Sequence, residues 1–437
     1  MILPTRLLIL LGVVPLLMAA VSGGSGVILG FAWGLMGGLL GLWLMDGIWF
    51  QPGRKLSLER VAPEEVYVDQ QQRIEWILEN RSSFHTFVML RDQLPAGSST
   101  ETPELGIAVP RQTRTRLSYD LLPTVRGDLE FGKLYYRTLG ALRLAWRLSV
   151  LDARQSVRCY PHLANWNAAE IAARQALSRQ AGSHRIRWRG TGTIFESLRE
   201  YTTEDDIRWV DWKASARAQR PITRNFETER HQQVLLIIDA SRMMMTYCGH
   251  RTKMDTAIEA AILAARSAVE VGDAVGLLVF SDKIDIYLHP RREKSQVGAI
   301  MNALYTLHAR PVEPDFETAI TLAATRNRRR SLMLLFTDVT VIESSQRMSA
   351  YVRSLIPRHL PLVATIADQT VEHLEVLEPQ SAEEFYQVGV ANELLLQRDE
   401  LLEVLRNSGA AVLDSPADEI ATRTIETYLS LKNRMLL

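Results

Sequence analysis

Cysteine is scarce in this sequence, with only Cys159 and Cys248 among 437 residues. That scarcity excludes a disulfide framework and fits a reducing compartment. An excess of either charge is also missing, because fifty basic side chains balance fifty acidic ones. No global electrostatic field therefore draws the chain toward nucleic acid, and we expect no nucleic-acid partner.

Phosphate-binding loops are absent as well. The sequence has no Gly-x-x-x-x-Gly-Lys-Ser/Thr motif and no Gly-rich turn after an apolar strand, so a nucleotide-binding role finds no support. The basic run RNRRR at 326–330 lacks aromatic neighbours. It indicates a solvated helix end rather than a nucleic-acid surface.

Charged side chains are missing from Leu7 to Met45, and SGGSG at 22–26 divides this stretch into two apolar pieces. A membrane-spanning helix needs about 20 residues. The second piece meets that length comfortably and the first barely, so we predict a transmembrane helical hairpin over residues 1–52. The alternative is a cleaved signal peptide, in which Arg6 precedes an apolar core and the small residues Ala19, Ala20 and Ser22 follow it.

Basic residues flank the predicted hairpin, while the loop between its helices carries no charge. Arg6 precedes the first helix, and Arg54 and Lys55 follow the second. The positive-inside rule then places both ends in the cytoplasm. We expect the lipid bilayer as one partner and the chain from about residue 51 onward in the cytoplasm.

Residues 53–161 contain short segments rich in β-branched and aromatic residues, separated by turn sequences. The segments are KLSLERV, EEVYVD, QRIEWILEN, HTFVMLRD, RTRLSYDLL and GDLEFGKLYYRT. Their spacing, without a helical period, predicts a β-sandwich domain. Residues 162–231 follow as a linker helix, near 162–183, and a highly charged segment.

From residue 232 to 437, apolar strands alternate with amphipathic helices. Strands such as QVLLIID, AVGLLVF, SLMLLF and PLVATIA are separated by helical stretches. Continuous apolar strands between such helices predict a doubly wound α/β domain, with a parallel sheet covered on both faces. The fold class is therefore multidomain: a helical hairpin, a β-sandwich and a doubly wound α/β domain.

Two aspartates end strands of this predicted sheet. Asp239 follows VLLII, Asp338 follows SLMLLFT, and Ser241 lies two residues beyond the first carboxylate. Ligands bind such sheets beyond the carboxyl ends of the strands, at the switch point of strand order. We therefore expect these side chains to face a cleft, where their oxygens could hold a hard divalent cation.

This layout resembles the von Willebrand factor type A domain, whose metal-ion-dependent adhesion site uses Asp-x-Ser-x-Ser, a Thr and an Asp from three loops. Asp239, Ser241 and Asp338 match that pattern, but Met243 and Pro314 stand where a Ser and the Thr belong. A thioether is a poor magnesium ligand, and proline has no side-chain oxygen.

The site is therefore interpreted as degenerate, and no cofactor is expected. A weak, water-rich Mg²⁺ site remains the alternative. In the favoured interpretation, Asp239 and Asp338 accept hydrogen bonds from loop amides or pair with Arg242.

Residues 194–229 carry an unusual density of charge. Their carboxylates, Glu200 and the aspartates at 205, 206 and 211, are suited to acid–base chemistry, yet no nucleophile with an evident base lies nearby. A salt-bridge network that fixes a loop is simpler. Trp209 and Trp212 have the spacing to pack one helix face onto the sheet. The residues expected to contact a partner are Arg199, Tyr201, Asp205, Asp206, Arg208, Asp211, Trp212, Lys213 and Arg217.

This segment resembles the bacterial family called domain of unknown function fifty-eight. The match rests on Phe195, Leu198, Arg199, Tyr201, Asp205, Asp206, Arg208, Asp211, Trp212, Lys213, Ser215, Ala216, Arg217 and Glu229. TTEDD at 202–206 lacks the family's usual Gly before the Asp pair, and Ala218 replaces a common Thr. A membrane hairpin first, RGDLEFG within 121–134, and a closing type A domain extend the resemblance.

The resemblance implies a protein anchored in the bacterial inner membrane, with its soluble domains in the cytoplasm. Family members accompany MoxR-type AAA+ ATPases as adaptors or co-chaperones, in the assembly or maturation of other, often envelope, proteins. We therefore expect a non-enzymatic interaction module. The alternatives are a metal-dependent adhesion-type binding domain and a hydrolase that uses the carboxylates of 200–211.

Overall fold

The structure is a computed structural model. It describes residues 2–23, 25–101, 104–163, 166, 171, 194–202, 205, 207–227, 232–339, 342–356, 358–375 and 379–433. The chain divides into two compact units, Met1–His162 and Leu163–Leu437, which confirms that it is multidomain. Most of the predicted linker helix, and the site residue Asp206, lie outside the described residues.

Two apolar helices open the first unit, α1 (Arg6–Val21) and α2 (Gly26–Ile48). Thr5 caps α1 by accepting a hydrogen bond from the backbone N–H of Leu8, at 3.3 Å. One stretch, Gly26–Lys55, is long and apolar enough to cross a membrane. The helix α1 is shorter, and both helices expose large apolar side chains such as Leu10 and Phe31.

Three β-sheets share one apolar core in this unit. Their strands are β1 (Ile2–Pro4), β2 (Leu56–Val61), β3 (Glu65–Tyr67), β4 (Gln72–Asn80), β5 (Thr86–Asp92), β6 (Ser98–Ser99), β7 (Leu105–Val109), β8 (Thr113–Pro123), β9 (Gly127–Phe131), β10 (Leu134–Leu139), β11 (Ala145–Leu151) and β12 (Gln155–Tyr160). The strand orders are β1-β11-β10-β5-β7, β2-β4-β8-β6 and β3-β12-β9.

Strand β4 shows how the sequence builds this core. Ile74, Trp76 and Leu78 alternate with more exposed residues, so every second side chain points inward. Apolar residues from all three sheets join them in one cluster, the arrangement of a β-sandwich.

The sequence pattern indicated that GDLEFGKLYYRT is one strand, but the structure has two strands there. The segment divides at Gly132 into β9 and β10, which belong to different sheets. A β-carbon at this glycine would lie 2.4 Å from Gln93. A larger residue at this position would therefore have to displace the side chain of Gln93.

The helical hairpin is fastened to the sandwich at both ends. Ile2–Pro4 pairs antiparallel with β11, although the sequence pattern assigned these residues to the first apolar piece. At the far end of α2, the buried Asp46 accepts hydrogen bonds from the backbone N–H groups of Leu142, Leu144 and Ala145, at 2.8–3.0 Å. The loop before β11 thus holds both ends of the hairpin.

The second unit begins with an antiparallel hairpin and continues into a six-stranded sheet. Its strands are β13 (Ile194–Glu200), β14 (Ile222–Glu227), β15 (Gln233–Asp239), β16 (Tyr247–Cys248), β17 (Arg251–Thr252), β18 (Ala274–Phe280), β19 (Ile284–Arg291), β20 (Ser331–Phe336), β21 (Leu360–Ala367) and β22 (Ala411–Pro416). Its helices are α3 (Trp212–Ala218), α4 (Lys253–Glu270), α5 (Ser295–Leu304), α6 (Phe316–Arg326), α7 (Ile342–Leu355), α8 (Gln369–Glu375), α9 (Ala382–Asn407) and α10 (Ile420–Asn433).

The six-stranded sheet has the order β19-β18-β15-β20-β21-β22 and is parallel except for the edge strand β19. Helices α6, α7 and α9 share one core cluster with alternate strand residues. Helix α4 packs with α5 and α10. After β15 the chain adds β18 and β19 on one side of this strand, and it then adds β20, β21 and β22 on the other side. The switch point of strand order therefore lies between β15 and β20.

Candidate functional site

Asp239 ends β15 at the switch point, and it is fully buried. One oxygen accepts a hydrogen bond from the backbone N–H of Ser241 at 2.8 Å, and the other accepts one from the Thr337 hydroxyl at 2.7 Å. Burial raises the pKa of Asp239, although these hydrogen bonds oppose the rise and the nearby Asp338 charge adds to it. Its position in the sequence suggested that the carboxylate faces a cleft. In the structure it is enclosed instead.

Asp338, just beyond β20, holds two buried cations. The Lys253 ammonium lies 2.6 Å from one carboxylate oxygen, and the Arg398 guanidinium lies 2.7 Å from the other. Burial by itself raises the pKa of Asp338, but the two cations outweigh it and the net shift is downward. Asp338 is therefore a paired anion, in contrast to Asp239.

Arg398 extends this ion-pair network to the last strand of the sheet. Its second terminal nitrogen donates to Asp414 on β22 at 2.7 Å, and Thr365 on β21 donates to the same oxygen. Burial tends to lower the pKa of Arg398, but Asp338 and Asp414 reverse that effect and raise it. The carboxyl ends of β20, β21 and β22 are thus joined through charge.

The side chains around Asp239 and Asp338 do not fit a divalent metal ion. The ammonium of Lys253 occupies an oxygen of Asp338 that a cation would need. At an effective dielectric constant of 20, a divalent ion 4 Å from this ammonium would be repelled by about 8 kcal/mol, twice the value for two unit charges. Within the described residues, no group of three His, Cys, Asp or Glu side chains is arranged to hold a metal.

The loop residues expected beside this site have other roles. Arg242 pairs with Glu313 at 2.6 Å instead of with either strand-end aspartate. Met243 is buried, and its backbone N–H lies 3.4 Å from the hydroxyl oxygen of Ser241. Asp315, which follows Pro314, caps α6 by accepting a hydrogen bond from Thr318.

Sequence reasoning missed Lys253, Thr337 and Arg398, although two of them carry a signal. Lys253 opens α4, where the helix dipole disfavours a cation, and the helix that follows is almost entirely buried. Arg398 lies on the buried face of α9, which otherwise contains Ala391 and three leucines at helical spacing. A charged residue in such a position indicates a buried partner.

The charged segment from 194 to 227 forms a small sheet with a helix attached. Strands β13 and β14 pair antiparallel, and Val210 adds a bridge to Thr223. Asp211 then caps α3 by accepting hydrogen bonds from the backbone N–H groups of Lys213 and Ala214. The family signature therefore lies on a compact substructure that precedes β15.

Acidic side chains of this substructure are paired. Arg199 makes a two-point contact with Asp205, and hydrogen bonds to Arg199 and Thr202 lower the pKa of Asp205 to about 2. Asp211 pairs with Arg224, and Glu200 with Arg220. Because three of the four candidate carboxylates are engaged, the described part of the segment offers no free acid–base pair.

Apolar side chains of the same substructure face solvent. We define the signature patch as Leu198, Ile207, Trp209 and Trp212. Trp212 is 70% exposed, although the spacing of the two tryptophans predicted a helix face packed on the sheet. That expectation was wrong: a short 3-10 turn (Ile207–Trp209) and the bridge at Val210 separate Trp209 from α3.

Two cations lie beside the signature patch on α3. Lys213 and Arg217 are one helical turn apart and exposed, and neither has an ion-pair partner among the described residues. Tyr201 is half-buried, and its backbone N–H donates to Pro221. Arg208 is exposed. The surface thus combines aromatic area with the charges of Lys213 and Arg217, which have no ion-pair partner in the described part of the chain.

A pocket of about 650 Å³ lies in the sandwich of the first unit, lined partly by Trp76, Asp92 and Tyr119. Asp92 accepts hydrogen bonds from Arg60, Trp76 and Tyr119. Arg60 is stacked between the rings of Trp76 and Phe131. Because these donors occupy its oxygens, Asp92 holds the wall of the pocket together and does not offer a free charge to a ligand.

Comparison with known proteins bears on the signature substructure and the sheet that follows it. Residues 197–393 match the model of a family described as "Protein of unknown function DUF58". The family resemblance inferred from the signature is thereby confirmed over these residues. The matched residues include the signature patch, the switch point and helix α9 as far as residue 393. They do not include the sandwich.

Relatives occur in bacteria and are described as uncharacterised proteins. The chain is 25% identical to Rv1480 of Mycobacterium tuberculosis over 198 residues, which are 44% of this chain and 58% of that protein. It is 24% identical to YeaD of Bacillus subtilis over 159 residues, 35% of this chain and 39% of that protein. The chain thus spans roughly half the length of the curated relatives it matches.

Solved structures give weaker likenesses. BatB from Bacteroides thetaiotaomicron, a conserved hypothetical protein, is 10% identical, with 46% of this chain and 99% of that chain covered and a TM-score of 0.31. The CARDB domain of the PF1109 protein from Pyrococcus furiosus is 15% identical, with 24% and 86% covered and a TM-score of 0.17. Both TM-scores are too low to indicate a shared fold.

Proposed function

We propose that this chain is a membrane-tethered protein-interaction module, without catalytic activity of its own, that binds partners through the signature patch. The observation that supports this proposal is the exposure of Trp212 and its neighbours, in a segment whose described carboxylates Glu200, Asp205 and Asp211 are paired. Exposed aromatic side chains next to uncompensated cations are typical of protein-binding surfaces. Lys213 and Arg217 favour a partner surface with acidic side chains.

The partner that the family resemblance implies is a MoxR-type AAA+ ATPase. In this proposal the chain acts as its adaptor or co-chaperone during the assembly or maturation of other proteins. The doubly wound unit is the von Willebrand factor type A-like part of the module. Its parallel order with one antiparallel edge strand, and its two strand-end aspartates, support that assignment.

The tether in this proposal is the hairpin over residues 1–52, in the bacterial inner membrane with both ends in the cytoplasm. Supporting it, β1 pairs with β11 and Asp46 accepts a hydrogen bond from the loop just before β11, so both ends of the hairpin are attached to neighbouring residues. Removal of a signal peptide would delete β1 and the cap at Thr5. The soluble parts then lie in the cytoplasm, where such an ATPase has access to them.

The test is capture of partners from bacterial membranes by the full-length, detergent-solubilised chain. We expect the wild type to retain an AAA+ ATPase and Trp212→Ala to retain at least ten-fold less, because central aromatic anchors contribute about 2 kcal/mol or more. Tyr386→Ala is the matched control, since Tyr386 on α9 is 73% exposed and Trp212 70%. Equal capture by all three chains, or no ATPase at all, would refute the proposal.

The other two functions lack a favouring observation. The strand-end donors do not fit a metal-dependent adhesion site, and the described carboxylates of the signature segment are paired.

A further inference from the structure

Two structural features at the switch point call for a common explanation. Asp338 is almost fully buried together with two cations, Lys253 and Arg398. Their combined charge of two equals that of a divalent metal ion. Beside them lie the oxygens of Asp239, Ser241 and Thr337, which are also buried.

We propose that the ammonium of Lys253, together with the Arg398 guanidinium, takes the place of a divalent cation at the carboxyl end of this sheet. The unit is then held in one state by charges that are part of the chain, and it needs no metal. This departs from the metal-dependent site that the type A resemblance implies. It goes beyond the proposed function, because it concerns a buried site rather than the signature patch.

The connections made by Lys253 resemble those by which a metal ion joins loops. Its backbone N–H donates to Thr246 in the loop after β15 at 2.8 Å, while its side chain binds Asp338 in the loop after β20. The loop after β15 is further fixed by Asp239, which accepts from Thr337 on the β20 side. One lysine therefore joins the two loops that flank the switch point.

Arg398 adds a third connection. It binds Asp338 and Asp414 at once, so helix α9 and strand β22 are joined to the same carboxylate. A tethered cation differs from a metal in one respect, because it cannot dissociate. Lys253 is also 1% exposed, so no carboxylate of a partner can reach it as it would reach a metal at an open site.

The test uses Mn²⁺ as the probe with the full chain in detergent. Electron paramagnetic resonance measures bound Mn²⁺, and a thermal melt measures Tm with and without the ion. The variants are Asp239→Asn, Lys253→Ala, the double variant that combines both changes, and a control, Lys432→Ala. The control removes a comparably buried lysine that pairs with Asp273 at 2.6 Å, just before β18 and at the other end of the sheet.

We expect the wild type to show no Mn²⁺ binding that depends on Asp239, and no change of Tm with Mn²⁺ or with EDTA. Lys253→Ala should lower Tm, and Mn²⁺ at ten times its Kd should then raise Tm by about 3–6 °C. That rescue should disappear in the double variant and should be absent from Lys432→Ala. Loss of the lysine would thus convert the site into one that accepts a metal.

Three results would overturn the proposal. One is Asp239-dependent Mn²⁺ binding by the wild type, since an internal cation would then not have replaced the metal. The other is a folded Lys253→Ala chain that Mn²⁺ neither binds nor stabilises. If Lys253→Ala fails to fold even with Mn²⁺, the proposal is likewise contradicted, because the ion should compensate for the missing ammonium. None of these results depends on capture of a partner by Trp212.

Discussion

Asp239 and Asp338 show how neighbouring residues of one type reach different electrostatic states. Both end strands at the switch point and both are buried. Asp239 has neutral donors, whereas Asp338 has two cations. Desolvation therefore dominates at the first and charge pairing at the second, which is why their pKa values shift in opposite directions.

Substitution of each aspartate by asparagine should separate these states. Asp338→Asn leaves Lys253 and Arg398 buried without their shared anion, and we expect a loss of about 3–5 kcal/mol in unfolding free energy. Asp239→Asn keeps a similar shape and removes a desolvated carboxylate, so stability should stay equal or rise. Hydrogen exchange of the β15 and β20 amides, measured by mass spectrometry in the full chain, reports the change in unfolding free energy for each variant. Equal destabilisation by both variants would contradict this account.

Asp205 gives a prediction for acid pH. Its pKa falls from 3.8 to about 2 in the folded chain, first because of the hydrogen bond from Arg199. A lowered carboxyl pKa contributes stability that is present above the unfolded value and is lost as pH falls through the folded value. Protection of the β13–β14 hairpin from hydrogen exchange, corrected for intrinsic rates, should therefore fall between about pH 4 and 2.

Arg199→Gln provides the comparison for that titration. Without the guanidinium, the pKa of Asp205 should return toward its ordinary value, and protection should be lower already at pH 5. Identical pH profiles for the two chains would show that Arg199 does not stabilise the carboxylate.

At the scale of elements, Asp46 joins a helix to a loop of the sandwich. It accepts three backbone hydrogen bonds at the end of α2. Asp46→Ala would leave these N–H groups without their acceptor, at about 1–3 kcal/mol for each that stays buried. We expect exchange of the loop at 140–147 to accelerate at least ten-fold.

Asp120→Ala is the matched control for this loop. Asp120 lies on β8 with an exposed side chain, and its ion pair with Arg73 is 3.8 Å long. Exposed pairs of this kind contribute little to stability, so the control should leave exchange unchanged. A similar change in both variants would indicate a general effect of lost charge.

Elements with a strong local pattern could be predicted from sequence, and those fixed by distant contacts could not. The parallel strands are apolar throughout, and β4 alternates, so their type follows from periodicity. Strand β1 reads as part of an apolar helix, and only its pairing with β11, about 140 residues away, makes it a strand. Likewise, the spacing of Trp209 and Trp212 carries no information about the bridge at Val210.

The candidate site shows the same division. Asp239 and Asp338 were singled out because each follows an apolar strand, and the topology does bring them to neighbouring strand ends. The partners of Asp338 lie on helices far along the chain, 85 residues away for Lys253 and 60 for Arg398. No local pattern relates such positions, so the pairing emerges only from the three-dimensional structure.

At the scale of the whole molecule, the hairpin is an integral part of the first unit. Strand β1 and Thr5 hold its first end to β11 and the preceding loop. The chain recovered from membranes should therefore still contain residues 2–6, as peptide mass spectrometry of the carbonate-washed membrane fraction would show. A mature chain that begins after residue 22 would instead support a signal peptide and remove β1 from the sheet.

The pairing of β1 with β11 also sets an order of events during synthesis. Residues 2–4 leave the ribosome first, yet their partners at 145–147 are added 143 residues later. At about 5–20 residues per second, that interval is roughly 7–30 s. In the proposed membrane-tethered chain, both apolar helices are therefore synthesised before β11 is available to pair with β1.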